Sequence, residues 1–351
     1  MYDIILAIIT SFCLTYIAIP SIIHVAEKKN LYDEPGERRS HDVKTPSLGG
    51  IGIFAGTLFS IILWTPFNFF GPLQYILCSF IIIFLIGARD DIDAVPPVKK
   101  LMGQLLAAAI LVFKANIKIT SFYGILNINE LPFFVSILIS MFTIIVIINA
   151  FNLIDGINGL SASIGILICI VLGFWFYKVN RIEIAIVAFA LTGALIAFLR
   201  YNITPAKIFM GDTGSLLLGL VVSILAIKFI ELHKDLGDSR YKFAAAPSFV
   251  IATLILPLFD TMRVFIIRIV NGHSPFYADR NHIHHLFIDS GFSHMQATSI
   301  LVMGNAVFII IAFLLQGIGN LLLLIVLIAL AIVLTIGLKY YSKNRLTKVM
   351  S

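Results

Sequence analysis

Long runs of apolar residues dominate this sequence and alternate with short polar stretches. A transmembrane helix needs roughly 20 predominantly apolar residues, and eleven runs are candidates, although the third and fourth are short. The pattern predicts an all-α integral membrane protein with about eleven transmembrane helices, and a single polytopic membrane domain over residues 1–351. The runs cover residues 4–25, 49–66, 72–88, 101–113, 131–149, 160–177, 184–199, 215–232, 245–267, 296–315 and 319–338.

Composition supports the membrane class. Of the 351 residues, 59% are hydrophobic and only 13% are charged, whereas soluble domains carry about 25% charged residues. The mean hydropathy is +1.00. No basic region or cleavage site precedes the first run, so we expect it to be a retained helix. Pro247 and Pro257 in the ninth run predict a bent helix.

Basic residues are distributed unequally between alternate loops. About two thirds of the 25 Lys and Arg residues fall in one set of loops together with the C-terminal tail. The positive-inside rule assigns that set to the cytoplasm, with the N-terminus outside and the C-terminus cytoplasmic. The net charge of +6 is then explained by basic loops beside anionic lipid, and no nucleic-acid partner is expected.

The first cytoplasmic loop carries a basic cluster and ends in two glycines. Arg38, Arg39 and Lys44 precede Gly49 and Gly50. Glycines at a helix start expose backbone N–H groups that can bind a phosphate. A basic cluster beside a membrane is also a common topology signal, so this loop alone leaves both interpretations open.

The second loop combines adjacent carboxylates with a cation. Asp90 and Asp91 end one apolar run, and Lys100 follows ten residues after Asp90. Carboxylate oxygens suit Mg²⁺, which keeps phosphate oxygens as further ligands, and one carboxylate can act as a base. A charge cluster at a helix end is the alternative.

The third and fourth loops place amide and carboxylate side chains at membrane boundaries. Asn152, Asp155 and Asn158 alternate with glycines between two apolar runs, and polar groups at membrane depth are usually functional. Asn-rich helix capping is the alternative. Asp212, flanked by two glycines, is either an N-cap residue or a carboxylate that binds a metal ion.

The fifth loop contains Arg280, His282, His284 and His285. Three imidazoles beside an arginine could bind zinc, or a phosphate and a nucleotide. Zinc proteases typically carry two histidines at positions i and i+4 with a glutamate between them. That spacing is absent here, so zinc hydrolysis is disfavoured.

Together these loops resemble the bacterial polyprenyl-phosphate N-acetylhexosamine-1-phosphate transferases, which are of the glycosyltransferase family 4 type. The resemblance covers essentially the whole chain and rests on four motifs: Asp90-Asp91, the run from Asn152 to Gly159, the run from Gly211 to Ser215, and the run from His282 to His285. It implies transfer of a sugar 1-phosphate from a UDP-sugar to undecaprenyl phosphate, with release of UMP, in a multi-pass protein of the bacterial inner (plasma) membrane. The implied active site faces the cytoplasm.

The resemblance also implies roles for the metal and phosphate ligands. Asp212, with help from Asn152, would bind Mg²⁺, for which Mn²⁺ could substitute. Lys100 and Arg280 would hold the diphosphate. Asp90 and Asp91 would lie where the lipid phosphate arrives, with Asp90 as the base.

Further roles follow for the nucleotide and sugar. Asp155 and Asn158 would face the nucleotide, although the family often has Asp at the position of Asn158. Lys44 would approach the site from the first loop. The histidines would close the nucleotide and sugar pocket, and these are His282, His284 and His285.

The fifth-loop motif resembles the branch that uses UDP-N-acetylglucosamine and begins teichoic acid, O-antigen (lipopolysaccharide) or enterobacterial common antigen synthesis. UDP-MurNAc-pentapeptide or another UDP-N-acetylhexosamine is the alternative donor. A homodimer is a family-level expectation. A secondary transporter is the rival outside the enzymes; it would need ionisable residues near the bilayer midplane, whereas here they gather at one face.

Overall fold

The computed structural model describes residues 1–32, 44–274, 277 and 279–350, the last nine of them by backbone alone. Helices account for almost all of the ordered structure in these ranges, and the all-α prediction is confirmed. The α-helices are α1 (Tyr2–Lys28), α2 (Gly49–Trp64), α3 (Phe70–Ile92), α4 (Pro97–Phe113), α5 (Phe133–Ile154), α6 (Leu160–Lys178), α7 (Ile182–Asn202), α8 (Gly211–Leu232), α9 (Ala246–Thr253), α10 (Ile255–Val270), α11 (Ile283–Asp289), α12 (His294–Leu315) and α13 (Asn320–Met350).

Each of the eleven predicted runs falls on a helix, and the ninth is divided between α9 and α10. Within the described residues, eight helices are long and apolar enough to span a membrane, and the α9–α10 pair would make a ninth. Helix α2 is a shorter apolar helix, and α4 has 17 residues. The membrane fold is therefore confirmed, while the orientation of the termini and the single domain stay predictions.

Helix α8 lies at the centre of the bundle. It packs against α2, α3, α5 and α6, and most of its side chains are buried on every face. A helix that is apolar all round is expected in such a position. Helix α13, by contrast, leaves most of its apolar side chains exposed, as a helix facing lipid does.

The predicted bend in the ninth run is present. Helices α9 and α10 meet at an angle of 78°. Because Pro257 has no N–H, it cannot donate to the carbonyl of Thr253 one turn earlier. Asn305 of α12 replaces that bond: its amide donates to Thr253 O at 3.0 Å and accepts from the N–H of Leu256 at 3.2 Å. The backbone groups that the break leaves free are thus satisfied by a neighbouring helix.

The contact between α1 and α7 depends on a glycine. A Cβ atom at Gly193 would overlap the carbonyl oxygen of Ile8, and the hydroxyl of Ser11 donates to Ala190 O at 2.6 Å across the same contact. We expect Gly193→Ala to separate the helices and cost about 1–3 kcal/mol of stability. Thermal unfolding in detergent measures the effect.

Gly304→Ala is the matched control, because a Cβ at Gly304 would meet nothing within 4 Å. That variant should keep or slightly raise the melting midpoint, since alanine favours helix. Equal midpoints for the two variants would contradict the proposed role of Gly193.

Candidate active site

A polar cavity of about 550 Å³ opens at one end of the bundle. Helices α3, α5 and α7 end there, whereas α8 and α12 begin there. In the described part of the chain, four carboxylates line it, together with amide, hydroxyl and imidazole side chains. The polar lining residues are Tyr32, Ser47, Asp90, Asp91, Asn152, Asp155, Asn158, Asn202, Asp212, Ser215, His285 and His294.

Asp91 holds the N-terminus of α8. Its carboxylate accepts hydrogen bonds from the backbone N–H groups of Asp212 at 2.6 Å and Thr213 at 3.0 Å, and from the hydroxyl of Thr213 at 2.6 Å. The first N–H groups of a helix have no partner within the helix, and a negative charge there is favoured by the helix dipole. Asp91 thereby positions Asp212 and is itself largely occupied with backbone contacts.

The segment before α8 is fixed by backbone bonds to the start of α2. Gly49 N and Gly50 N donate to Phe209 O at 3.0 Å and Met210 O at 2.8 Å. Gly211 then has a φ of +69°, which glycine adopts readily. A Cβ at Gly211 would also lie only 2.6 Å from Asp91 Oδ1, so the turn that presents Asp212 requires glycine.

Lys100 lies between two carboxylates that come from different helices. Its Nζ is 3.5 Å from Asp90 Oδ2 and also pairs with Asp212 Oδ2. The other oxygen of Asp90 accepts from the N–H of Val95 at 2.7 Å, which folds the α3–α4 loop around it. Lys100 does not itself line the cavity, but it neutralises part of the negative charge of the lining.

Asn152 connects α5 to α8. Its amide nitrogen donates to Asp212 Oδ1 at 2.9 Å and to the hydroxyl of Ser215 at 3.0 Å. Asp212, Asn152 and Ser215 thus bring a carboxylate, an amide and a hydroxyl group together. Oxygen is the ligand atom that Mg²⁺ prefers, and Asn152 would offer its oxygen to an ion with its amide group turned over. Among the described residues no group of three or more Asp, Glu, His and Cys has a geometry that could hold a metal ion by itself. An ion here would need oxygens from a ligand as well, as Mg²⁺ commonly does.

Asp155 is held by the hydroxyl of Ser161, which donates to its Oδ1. Burial raises the pKa of Asp155 to about 7; the Ser161 bond lowers it, and the nearby charge of Asp91 adds to the increase. The side chain therefore exchanges a proton near neutral pH, which distinguishes it from an ordinary surface aspartate.

The far side of the cavity is uncharged. The amide of Asn158 donates to the hydroxyl of Thr204 at 2.9 Å, and its backbone N–H donates to His294 Nδ1 at 3.4 Å. Asn202 accepts from the N–H of Gly159 at 2.7 Å. The sequence analysis missed His294 and Asn202. Ser293 and Gln296 form a capping box, and this motif would have predicted that His294 begins a helix.

The histidines of the fifth loop form a row that reaches the cavity. The ring centroids of His282 and His284 are 5.6 Å apart, and those of His284 and His285 are 4.3 Å apart. His285 lines the cavity, and His284 lies against Gly156, where a Cβ would meet its ring. Burial lowers the pKa of His284 to about 3 and that of His285 to about 4. Both rings are therefore neutral at pH 7 and offer hydrogen bonds without charge.

The structure gathers most of the predicted site residues and leaves others outside the lining. Asp90, Asp91, Asn152, Asp155, Asn158, Asp212 and His285 line the cavity. Lys100 and His284 contact residues of the lining. Lys44, Arg280 and His282 are not part of it, and Arg280 instead pairs with Asp289 at 3.3 Å. The predicted basic cluster of Arg38 and Arg39 lies outside the described residues.

Comparison with known proteins identifies the family of the chain. Residues 73–230 match the family described as glycosyl transferase family 4. A probable undecaprenyl-phosphate N-acetylglucosaminyl 1-phosphate transferase of Bacillus subtilis is 31% identical over 327 residues, which cover 90% of this chain and 86% of that protein. The undecaprenyl-phosphate alpha-N-acetylglucosaminyl 1-phosphate transferase of Escherichia coli O157:H7 is 29% identical over 80% of this chain and 76% of its own length. The decaprenyl-phosphate N-acetylglucosaminephosphotransferase of Mycobacterium tuberculosis is 27% identical over 84% and 78% respectively.

We expect Asp155→Asn to flatten the pH dependence of stability. The ordinary pKa of an aspartate, which applies to the unfolded chain, is 3.8, and the pKa of Asp155 in the folded protein is about 7. As the pH rises from about 4 to about 7, the unfolded chain releases this proton while the folded chain retains it, so folding becomes less favourable; above about 7 the loss is complete. The melting midpoint of the wild type should therefore fall more over this range than that of the variant. If the melting midpoints of the two proteins in detergent changed with pH in parallel, Asp155 would not retain its proton in the folded protein.

Proposed function

This chain belongs to glycosyl transferase family 4, and on that premise we propose that it transfers N-acetylglucosamine 1-phosphate from UDP-N-acetylglucosamine to undecaprenyl phosphate. The names of the relatives support this acceptor and this sugar. The observation that carries the proposal is the placement of Lys100 between Asp90 and Asp212 in a polar cavity at the ends of apolar helices. An acceptor with a polyprenyl tail stays in the bilayer, so its phosphate needs a site at that boundary.

The reaction exchanges one phosphoanhydride bond for another. An oxygen of the lipid phosphate attacks the β-phosphorus of the UDP-sugar, a new P–O–P bond forms, and the bond to the α-phosphate breaks with UMP as the leaving group. Such transfers depend mainly on positioning and charge neutralisation. Lys100 supplies positive charge beside the phosphates, and Asp90 is the group that would take a proton from the attacking phosphate or remain ionised beside it.

Asp212 and Asn152 would hold Mg²⁺, or Mn²⁺ in its place: their side chains are in contact, and a carboxylate oxygen with the oxygen of a turned amide suits a hard cation. When bound, the ion neutralises charge on the diphosphate. Asp91 acts indirectly in this scheme, since its contacts with the backbone fix the direction of Asp212.

The uncharged side of the cavity suits the uridine and the sugar. Asp155 and Asn158 would face the nucleotide, and His285 with its neighbours His284 and His282 would close the pocket around the sugar. The neutral Asn158 bonds Thr204 through its amide, which supports a role in shaping the pocket rather than in binding a cation. Lys44 and Arg280 would approach the phosphates only when the donor is bound.

In the cell, the protein would lie in the bacterial plasma membrane with its N-terminus outside and with its C-terminus and active site in the cytoplasm, where UDP-sugars are available. The distribution of Lys and Arg supports this orientation. The product, undecaprenyl-diphosphate-N-acetylglucosamine, would be the first lipid-linked intermediate of a cell-envelope polysaccharide. A homodimer stays a family-level expectation.

Release of UMP by purified protein in detergent tests the reaction. With undecaprenyl phosphate and Mg²⁺, we expect release from UDP-N-acetylglucosamine and none when lipid or metal is omitted. Release only with UDP-MurNAc-pentapeptide would identify the other donor, and silence with both would contradict the proposal.

Asp212→Asn should abolish this release while the melting midpoint is kept, because one carboxylate oxygen is lost from the metal and Lys100 loses a partner. Asp93→Asn is the control. Asp93 pairs with Arg89 on the surface, where both side chains are about two-thirds exposed, and such pairs contribute little. Full activity of Asp212→Asn would refute the metal assignment.

Direct attack by the lipid phosphate can be separated from a covalent intermediate on Asp90. Enzyme mixed with UDP-N-acetylglucosamine and Mg²⁺, but without lipid, should release no UMP if the attack is direct. A burst equal to the amount of enzyme would show that a glycosyl-phosphate had been transferred to the protein.

A further inference from the structure

Asp260 is a buried carboxylate on α10 that the transfer mechanism leaves without a role. It is 1% exposed and lies in the C-terminal half of the broken span, two turns past the bend. Its Oδ2 is 2.8 Å from His282 Nδ1, and its Oδ1 accepts from the backbone N–H of Ile283 at 2.9 Å. A buried charge persists only where it is paired and hydrogen-bonded, so these contacts explain how Asp260 remains ionised.

Arg263 pairs with the same carboxylate from one turn further along α10. Nη2 of Arg263 donates to Asp260 Oδ1 at 2.9 Å and also to the carbonyl oxygen of Asn281. A carboxylate that already accepts from a guanidinium is deprotonated, so the proton in the contact with His282 lies on Nδ1 of the imidazole. Asp260 therefore selects one tautomer of His282 and leaves Nε2 as the other nitrogen of the ring.

His282 is the first ring of the row that ends in the cavity. It stacks on His284 with an angle of 12° between the planes, and His284 packs on His285, which is the ring that lines the cavity. His284 Nε2 and His285 Nδ1 are buried and have no hydrogen-bond partner in the part of the chain that the structure describes. His285 is the ring of the row that reaches the cavity, and Asp260 holds the opposite end of the row through His282.

We propose that Asp260 is a positioning residue that fixes the tautomer and orientation of His282, and through it the imidazole row that walls the donor pocket. The proposal rests on the proposed function, because it assumes that the row contacts the UDP-sugar. The ligand groups that neutral imidazoles recognise here are uncharged oxygens, namely hydroxyl or carbonyl groups of the donor.

A second contact holds the fifth loop against α10 when Asp260 is changed. Arg268, two turns beyond Asp260 on α10, donates to both oxygens of Asp279 at 3.1 and 2.8 Å. Because this ion pair also binds the fifth loop to α10, Asp260→Asn should fold. In that variant the amide oxygen can still accept from Ile283 and Arg263, while the amide nitrogen replaces Oδ2 and can only donate to His282. The bond from His282 Nδ1 is then lost, and the ring must take the other tautomer to accept from the amide.

The test combines kinetics with the protonation state of one ring. In the full-length protein in detergent, we expect Asp260→Asn to raise KM for UDP-N-acetylglucosamine by about ten-fold or more, the loss typical of a hydrogen bond to a charged group, with a smaller change in kcat. Thr261→Val is the control, since Thr261 is buried beside Asp260 and its hydroxyl has no hydrogen-bond partner among the described residues. It should leave KM and kcat unchanged.

NMR of protein labelled with ¹⁵N-histidine reads the tautomer directly, and the eight histidines of the chain make the spectrum tractable. The His282 signal is identified by its loss in His282→Gln. We expect Nδ1 of His282 to be protonated in the wild type and in Thr261→Val, and the proton to move to Nε2 in Asp260→Asn.

An unprotonated Nδ1 in the wild type would overturn the proposal even if Asp260→Asn failed to fold. An unchanged KM in a folded Asp260→Asn protein would also overturn it. If UDP-MurNAc-pentapeptide were the donor in place of UDP-N-acetylglucosamine, the same KM comparison would be made with that substrate. A wild type that releases no UMP with either donor would refute the proposed function. The NMR result would then decide separately whether Asp260 sets the tautomer of His282.

Discussion

Asp91 accepts hydrogen bonds from the N–H groups that open α8, at a point where a membrane helix would otherwise present backbone groups without a partner. Because α8 is the central helix, its first turn fixes the place of Asp212, and Asp212 in turn organises Lys100 and Asn152. The two adjacent aspartates thus differ in what they can do. Asp91 is committed to the backbone of another helix, whereas one oxygen of Asp90 faces Lys100. The hydrogen bonds of Asp91 to one helix end therefore join α3 to α8, and Asp212 continues the connection to α4 and α5.

The cavity is divided by charge. Asp90, Asp91, Asp212 and Lys100 gather where α3, α4 and α8 meet, with Asn152 of α5 beside them. The amides and imidazoles of the opposite side belong to Asn158, Asn202, His285 and His294. With a divalent cation held at Asp212, such a division would suit a ligand that is anionic at one end and neutral at the other. Asp155, whose pKa burial raises to about 7, adds a carboxyl group whose charge changes near neutral pH. On the proposed function, this electrostatic arrangement would give the nucleotide-sugar one favourable direction of binding.

The apolar runs predicted the helices well because membrane length and apolarity are local properties of the sequence. The motifs also identified many of the residues that meet at the cavity, although they missed His294 and Asn202. Contacts between distant segments could not be predicted: Asp91 caps a helix more than a hundred residues away, and Asn305 repairs a break that Pro257 makes in another helix. The sequence did not single out Asp260, because its partner His282 is 22 residues away and the contact between them is visible only in the structure. Arg280 is the reverse case: its motif assigned it to the site, but in the structure its side chain pairs with Asp289.

The cavity is built at the ends of membrane helices rather than on a loop or a separate domain. The height of each helix end depends on helix tilt, and tilt responds to the match between helix length and bilayer thickness. Asp91 ties the end of α3 to the start of α8, so Asp90 and Asp212 would move together. This pair would shift relative to His294 at the start of α12 when the membrane becomes thicker or thinner. The hydrocarbon core of the surrounding lipid thus acts as a structural part of the site, and acyl-chain length becomes a variable that tunes its geometry.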